Sequence, residues 1–333
     1  MMDKPFAKSV PFAEKYAKLV ESVGTKDVLA ILINADPDAF GSALALKRLF
    51  WRKAKQIKIC RINKIERPDN LALARLLDLR HQHIQHLKST EVTKWAIVDS
   101  QPSHDEKFSK HRFDIIIDHH PVSEGLEAEF IDNQPEYGAN STILTEYLKA
   151  ARIKPSPRLA TALFYGIKTD TDNFVRGSVS RDIIALRYLY EFANLNIIKK
   201  IESSELSLKM LPEFKRALHN MSLVGNTAYV HLGSVNNGDI LVIVADFLMK
   251  LAEANWSIVS GLNGGKLIVI FRNAGFRNNA GKRAKAAFGD IGSAGGHKAA
   301  ARAEIPVEAL VPTLGSDAEY AKFVLGRLKN AKK

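Results

Sequence analysis

The side chains most able to do chemistry are aspartates and histidines in four short stretches of the sequence. In chain order they are Asp36, Asp38, Asp99, Asp118, His119, His120 and Asp170. Carboxylates and imidazoles are ligands of divalent cations such as Mn²⁺ and Mg²⁺, whereas zinc sites more often contain thiolates. Carboxylates gathered at one place repel one another unless a cation neutralises them. If the fold brings the four stretches together, they predict a metal centre.

Whether these residues form a metal centre depends on the elements that carry them, because a single aspartate after a strand is more often a helix cap or turn former than a metal ligand. Apolar runs occupy 28–34 (VLAILIN), 57–60 (IKIC), 95–99 (WAIVD) and 113–118 (FDIIID). Each is bounded by polar residues and too short for a buried helix, which predicts buried parallel strands. Helical patterns lie between and after them, so we predict a doubly wound α/β domain with a parallel sheet. Such sheets bind ligands at the carboxyl ends of their strands, where these aspartates lie.

Gly41 and Ser42 follow the first pair of aspartates. Glycine allows close approach of the backbone. Ser42 is predicted to cap a helix that begins SALALKRLF, so that the N–H groups of this helix face an anion such as phosphate. We therefore expect Ser42 to bind substrate.

The chain is long enough for two domains, since 333 residues exceed what one core usually organises. We predict a catalytic domain at 1–195, a linker at 196–216 that is polar and mixed in charge, and a smaller α/β domain at 217–333. In the last, TAYVHLG and GGKLIVIFRN read as strands and DILVIVADFLMKLAEANW as a helix.

Composition limits the location and the partners. Cys60 is the sole cysteine, so no intramolecular disulfide is possible, which fits a reducing cytoplasm. The first twenty residues lack the apolar core of a signal peptide, and no later run is as long as a membrane span. A formal charge of +12 attracts polyanions but is equally typical of a merely basic surface. We expect a cytoplasmic protein, and a homodimer as the commonest assembly.

The four stretches resemble the DHH phosphoesterases, whose named motif stands here at Asp118, His119 and His120. Three further elements resemble family motifs in order and spacing: the D-x-D-x-x-G-S loop at 36–42, Asp99 in AIVDSQP and Asp170 in GIKTDTDNF. In the predicted second domain, SAGGHKAAA resembles the Gly-Gly-Gly-His motif of the family's associated substrate-binding domain. By this resemblance the substrate-binding residues there are Arg272, Gly295, Gly296 and His297.

The resemblance implies a reaction with two manganese ions, Mg²⁺ or Co²⁺ being alternatives. Asp36 and Asp99 would hold the first ion, and the second would be held by Asp38, Asp99, His119 and Asp170. A hydroxide that bridges both ions would attack phosphorus. His120 would polarise the phosphate or assist the leaving group, or else only support His119.

Two positions depart from the family pattern. Leu32 stands where many relatives place a metal-binding histidine, so the first metal site should be weaker. Ala294 replaces the first glycine of the Gly-Gly-Gly-His motif, which adds a methyl group where backbone amides would approach the ligand. Both changes leave the second metal site complete.

The compact length is similar to that of nano-RNases and 3′-phosphoadenosine 5′-phosphate phosphatases, some of which are labelled exopolyphosphatase-related. We therefore expect a phosphoesterase whose partners are short RNA or DNA oligonucleotides or nucleotide phosphates. One alternative is a catalytically weakened nucleotide-binding or regulatory protein. The other keeps the chemistry and changes the substrate, as in a cyclic dinucleotide phosphodiesterase or an exopolyphosphatase.

Overall fold

The computed structural model describes residues 11–175, 177–204, 206–274, 278–310 and 315–330. The chain divides into two compact units, Met1–Ser204 and Glu205–Lys333. Within the described ranges, no helix has the length and apolar character that crossing a membrane requires.

The N-terminal unit is built on a six-stranded parallel sheet. Its strands are β1 (Val28–Ile33), β2 (Gln56–Arg61), β3 (Gln82–His83), β4 (Lys94–Val98), β5 (Ile115–Asp118) and β6 (Phe130–Asn133). They lie in the order β3-β2-β1-β4-β5-β6 with every pair parallel. This confirms the predicted fold class. The order reverses between β1 and β4, so the ends of these strands flank a crevice of the kind in which ligands bind.

Helices of this unit pack on the sheet. They are α1 (Phe12–Glu21), α2 (Pro37–Leu49), α3 (Pro68–Leu76), α4 (Glu106–Ser109), α5 (Asn140–Ala150), α6 (Pro157–Asp170), α7 (Ser180–Tyr190) and α8 (Leu195–Glu202). Alternate residues of β1 face two separate apolar clusters: Leu29 and Ile31 lie in the larger one, Ala30 and Leu32 in a smaller one with Cys60. Burial on both faces explains why β1 reads as a continuous apolar run.

Two glycines set the spacing of α2, α5 and α6. A Cβ on Gly41 would lie 2.8 Å from Ser141 Oγ and 3.1 Å from the Ala162 carbonyl oxygen. A Cβ on Gly166 would lie 2.6 Å from Ser141 Oγ and 3.0 Å from Asp38 Cα. The close approach that Gly41 allows is therefore between helices, and it places Asp38 against α5 and α6.

The C-terminal unit contains a mixed sheet. Its strands are β7 (Ser222–Val224), β8 (Thr227–Ser234), β9 (Trp256–Asn263), β10 (Lys266–Asn273), β11 (Ser293–Gly296) and β12 (Ala300–Pro306). Its helices are α9 (Leu211–Asn220), α10 (Asp239–Leu248), α11 (Ala280–Phe288) and α12 (Asp317–Asn330). The strand order is β11-β12-β10-β9-β8-β7, in which β8 and β9 are parallel and the other pairs antiparallel. One face packs on α10, and the other on α11 and α12.

The segment 196–216, predicted to be a linker, is mostly helical and belongs to the two units. Helix α8 buries Ile198 and Ile201 in the core of the N-terminal unit. Helix α9 buries Phe214 and Ala217 in the C-terminal unit. In both helices the buried pair is three residues apart, a helical spacing that the intervening lysines and arginine conceal in the sequence.

Candidate metal centre

Three carboxylates surround the Nε2 atom of His119. Asp170 Oδ2 lies 3.1 Å from this atom, Asp99 Oδ1 3.2 Å and Asp38 Oδ2 4.0 Å. These residues come from the ends of α6 and β4, the first turn of α2 and the loop after β5. The structure thus brings together the four side chains that the family resemblance assigns to the second metal.

A backbone carbonyl fixes the orientation of His119. Its Nδ1 lies 3.1 Å from the carbonyl oxygen of Tyr137, which can only accept a hydrogen bond, so Nδ1 carries the proton. The Nε2 atom is thereby directed at the carboxylates. Histidines that bind metals commonly donate their other ring N–H to a carbonyl or carboxylate in this way.

The carboxylate of Asp38 is held by the first residues of helix α5. The backbone N–H groups of Asn140 and Ser141 donate to its two oxygens, each at 2.7 Å. A helix N-terminus favours negative charge. Even so, burial and then the charge of Asp170 raise the pKa of Asp38 to about 6. The chain therefore holds Asp38 firmly in a place where its charge is costly.

Asp99 has an unusual backbone conformation at the end of β4. Its φ is 57°, although its N–H still donates to the Ile117 carbonyl at 3.0 Å. Left-handed backbone at a residue other than glycine costs about 1–3 kcal/mol and often occurs at functional sites. Burial, followed by the charges of Asp38 and Asp36, raises the pKa of Asp99 well above its usual value.

Two buried atoms at the centre are unsatisfied. Asp99 Oδ1 and His119 Nε2 have no hydrogen-bonding partner within the described ranges. The two atoms lie 3.2 Å apart but do not form a hydrogen bond with each other. Burial alone would lower the pKa of His119, but the close carboxylates of Asp170 and Asp99 raise it to about 12. A proton on Nε2 or a cation would relieve this arrangement. One imidazole and three carboxylates are a suitable donor set for Mn²⁺ or Mg²⁺, so these residues fit a metal.

Asp36 lies at the same site and caps helix α2. Its Oδ1 accepts a hydrogen bond from the Ala39 N–H at 2.8 Å. Burial raises its pKa to about 7, against the effect of that N–H and with the help of the charges of Asp38 and Asp170. The prediction that Ser42 is the cap is wrong. Ser42 lies inside the helix and is fully buried, which leaves its predicted contact with substrate without support.

Leu32 supplies no ligand where the family pattern has a histidine. Its side chain is fully buried in the apolar cluster that contains Cys60, Ile97 and Ile116. Among the predicted ligands of the first metal, Asp36 and Asp99 remain. The two predicted metal positions thus differ in the number of side chains that surround them.

His120 makes its hydrogen bond to Asp118. Its Nδ1 lies 2.8 Å from Asp118 Oδ1, so Nδ1 carries a proton and the carboxylate fixes the tautomer. Burial would raise the pKa of Asp118, but the hydrogen bonds from His120 and Gln101 lower it. The His120 side chain is 44% exposed, whereas that of Asp118 is fully buried. This pair resembles the aspartate–histidine pairs that orient a catalytic imidazole.

Gln101 was not identified from the sequence. It is fully buried and donates to Asp118 Oδ2 at 2.6 Å and to the Pro121 carbonyl at 3.0 Å. Its side-chain oxygen Oε1 accepts a hydrogen bond from the Ser123 N–H at 2.7 Å. Gln101 therefore fixes both Asp118 and the loop after His120. A glutamine in the stretch SQPS carries no sequence signal that separates this role from that of an ordinary loop residue.

Asp182 is a second residue that the sequence does not reveal. It is fully buried and accepts hydrogen bonds from the Gly138 N–H at 3.1 Å and the Thr142 hydroxyl at 2.6 Å. It also caps α7 through the Val179 N–H. Gly138 follows Tyr137, whose carbonyl orients His119, so Asp182 holds the loop that orients this side chain.

The predicted substrate-binding residues of the C-terminal unit lie on β10 and around β11. Arg272 donates from Nε to Asp246 Oδ1 at 2.6 Å. Gly296 has a φ of 145°, and a Cβ there would lie 2.5 Å from the Ala300 carbonyl oxygen, so glycine is required. His297 is exposed and is therefore not a buried structural histidine.

Ala294 does not present its methyl group to a ligand. It is half-buried and packs against the apolar core beside α11 and α12. A Cβ at the neighbouring Gly295 would meet nothing within 4 Å. The departure at Ala294 therefore adds core contact and leaves the exposed part of the motif open.

Comparisons with known proteins agree with this fold. Residues 29–167 match the DHH family, N-terminal domain. An uncharacterised protein of Methanocaldococcus jannaschii is 36% identical over 276 residues, which are 83% of this chain and 57% of that protein. A protein of Streptococcus mutans serotype c, named "probable bifunctional oligoribonuclease and PAP phosphatase NrnA", is 28% identical over 169 residues. That match covers 48% of this chain and 52% of the streptococcal protein, so the chain spans little more than half of either relative.

A solved structure supports the same assignment of fold. The crystal structure of an exopolyphosphatase-related protein from Bacteroides fragilis matches 98% of this chain and 100% of its own, with a TM-score of 0.69 and 17% identity. At this identity the likeness concerns the fold. The matched segment 29–167 contains the Asp-His-His triplet and the aspartates that face it from α2 and β4. Residues 29–167 of the N-terminal unit therefore form a DHH family domain, and members of this family are phosphoesterases.

Proposed function

We propose that the chain is a metal-dependent phosphoesterase that hydrolyses short oligonucleotides or nucleotide phosphates at the centre around His119. The observation that carries this proposal is the convergence of three carboxylates on the Nε2 atom of His119, at 3.1–4.0 Å. Asp99 Oδ1 and His119 Nε2 lack hydrogen-bonding partners within the described residues, as metal ligands would in the absence of their ion.

The proposed ligands of one Mn²⁺ are Asp38, Asp99, His119 and Asp170. At the first metal site, Asp36 and Asp99 would hold the other ion more weakly, since Leu32 provides no donor; Mg²⁺ and Co²⁺ are alternatives. Bound cations would supply positive charge at the phosphoryl group and lower the pKa of attacking water.

His120 is proposed as the residue that moves a proton. Its Nδ1–H is committed to Asp118, so the atom left for substrate is Nε2 on a ring that is 44% exposed. A histidine oriented in this way can donate a proton to the oxygen of a leaving group, which accelerates a reaction by about 10²–10⁴. Gln101 and Asp118 keep the ring in place.

Two observations support the substrate class. The formal charge of +12 favours association with phosphate-rich ligands. The streptococcal relative is named for oligoribonuclease and PAP phosphatase activity. In the C-terminal unit, exposed His297 and the open position at Gly295 are proposed to contact substrate. Arg272 could contact substrate only after its hydrogen bond to Asp246 is broken.

A substrate panel with a matched pair of variants tests this proposal. The panel contains the dinucleotide pApA, 3′-phosphoadenosine 5′-phosphate, a cyclic dinucleotide and polyphosphate, each with Mn²⁺. We expect turnover of the first two. Asp170→Asn should lower turnover by more than the ~10–100-fold that loss of an outer-shell partner costs. Asp172→Asn should not, because Asp172 is exposed and asparagine tolerates its φ of 47°.

The outcomes separate the alternatives. Turnover of only the cyclic dinucleotide or polyphosphate would refute the substrate class. If no phosphoester is turned over, the proposed enzymatic activity is refuted, and the alternative of a nucleotide-binding protein is left. Equal turnover by Asp170→Asn and the unaltered chain would refute the centre itself.

A further inference from the structure

A groove of about 490 Å³ lies in the C-terminal unit, at the start of β8 and β9 and beside the first turns of α11. Among the described residues, its polar lining consists of Asn226, Thr227, Asn278, Asn279, Lys282 and Arg283. Two cations, three amides and one hydroxyl thus face this space, and no described carboxylate lines it. The volume lies within the range of small-molecule sites, roughly 300–1,000 Å³.

Arg283 lines the groove, and no ion pair to it is found among the described residues. Its guanidinium carbon lies 4.3 Å from the centroid of the Trp256 ring, and Trp256 is only 5% exposed. Arg283 Nε is buried without a hydrogen-bonding partner in the described part of the chain. Stacking on tryptophan compensates in part for burial of a cation, but an N–H donor without an acceptor remains costly. An anion in the groove would instead offset the positive charge of the partly exposed guanidinium, since the Nε atom itself is buried.

The side chains of α11, more than its backbone, would bind this anion. The N–H groups of Ala280 and Gly281 donate to the carbonyls of Lys298 and His297, and that of Lys282 donates to the Asn279 side chain. These donors are therefore engaged. The positive end of the helix dipole still favours negative charge at this point.

The groove is separate from the position of Arg272. Arg272 points to the face of the sheet that packs on α10, where it binds Asp246. Trp256 belongs to the apolar cluster on the opposite face, with Ala280 and Ala284 of α11. The two arginines therefore lie on opposite faces of the sheet.

We propose that this groove binds a nucleotide through its phosphoryl group. Arg283 and Lys282 would contact the phosphate oxygens, because guanidinium and ammonium donors match them in charge and geometry. The amide side chains of Asn226 and Asn278 line the remaining space and offer both donors and acceptors to a nucleoside. The site uses none of the residues proposed for phosphoester hydrolysis and needs no metal.

Tryptophan fluorescence of the full chain tests the proposal. Trp51→Phe and Trp95→Phe leave Trp256 as the sole tryptophan of the sequence, and its stacking with Arg283 makes its emission sensitive to ligands of that arginine. AMP, inorganic phosphate and adenosine are titrated in EDTA. We expect a saturable change with AMP and with phosphate, and none with adenosine.

Variants of α11 give the matched control. Arg283→Gln and Lys282→Gln should each weaken AMP binding, Arg283→Gln by at least ~10-fold, measured by calorimetry as well because Arg283→Gln alters the emission itself. Lys285→Gln removes an exposed cation of the same helix outside the groove lining and should leave the affinity unchanged. Asp170→Asn should also bind AMP normally in EDTA, which separates this site from the proposed metal centre.

Three results would overturn the proposal. The first is the absence of a saturable signal with both AMP and phosphate. The second is adenosine binding as tight as AMP binding, which would remove the phosphate from recognition. The third is an unchanged affinity in both Arg283→Gln and Lys282→Gln.

Discussion

The two units bury charged groups of opposite sign. In the N-terminal unit, Asp99 and Asp38 crowd around His119, and burial raises the pKa of both carboxyls. In the C-terminal unit, Arg283 lies against Trp256, and burial lowers its pKa. Each arrangement is costly for the chain alone, and each is relieved by a ligand of the opposite charge. This contrast is the basis of the proposed cation site in one unit and the proposed anion site in the other.

The two sites also differ in how firmly the chain holds them. Asp38 is bound by two backbone N–H groups and His119 by a carbonyl. Arg283 is held mainly by its packing on one aromatic ring. Catalysis requires side chains that are held in place before the substrate binds. A binding groove tolerates more side-chain motion. Substitutions should therefore have larger effects in the N-terminal unit.

The largest expected effect is on turnover by His120→Gln. Loss of the proposed proton donor should lower the rate by about 10²–10⁴. The ring is oriented by Asp118, so the affinity for Mn²⁺ should be unchanged. Rate measurements and calorimetry on the same preparation test both statements. The exposed His86 gives a control, His86→Gln, that should behave as the unaltered chain. A parallel loss of metal would instead make His120 a ligand.

Asp182→Asn should have the next largest effect, on stability. It replaces an acceptor of three hydrogen bonds with a side chain that presents donors to buried N–H groups. We expect the free energy of unfolding to fall by about 3 kcal/mol in urea. Thr142→Val removes one of these bonds and should cost about 1 kcal/mol. Equal costs for the two variants would show that Asp182 does not organise this loop.

The stability of the metal-free chain should decrease from about pH 4 to pH 7. Burial raises the pKa of Asp36 to about 7 and that of Asp38 to about 6, from 3.8. The folded chain then holds more protons than the unfolded chain in this window, so the free energy of unfolding falls as the pH rises.

Asp36→Asn isolates one of these groups, because asparagine is also a good helix cap. Its stability in EDTA should decline less steeply over the same pH range, as measured by urea unfolding. Identical slopes for the variant and the unaltered chain would rule out a perturbed Asp36.

The smallest effect is expected for Ala294→Gly in the C-terminal unit. The Ala294 side chain packs on the core, so its removal from β11 should cost about 0.5–1 kcal/mol of unfolding free energy. AMP affinity and turnover should not change. A gain in either would mean that the methyl group obstructs a ligand after all.

Much of the fold and of the centre is predictable from the sequence, because both depend on local pattern. The buried strands read as apolar runs, and topology gathers the residues that end them, such as Asp99 and His119. The cap of α2 is also predictable, because Asp36 followed by Pro37 is a more favourable helix start than Ser42.

Other features depend on contacts between distant parts of the chain. Asp182 and Gln101 act through buried hydrogen bonds to residues 44 and 17 positions away, which no local pattern encodes. The groove beside Trp256 likewise joins strand β9 to helix α11. Such positioning residues emerge only when the packing is known.

Calorimetric titration of Mn²⁺ into the metal-free chain tests the centre around His119 most directly. We predict at least one bound ion per chain, lost or strongly weakened in Asp170→Asn and retained in Asp172→Asn. A chain that binds no Mn²⁺, or that binds it equally well in both variants, would contradict a metal centre at His119.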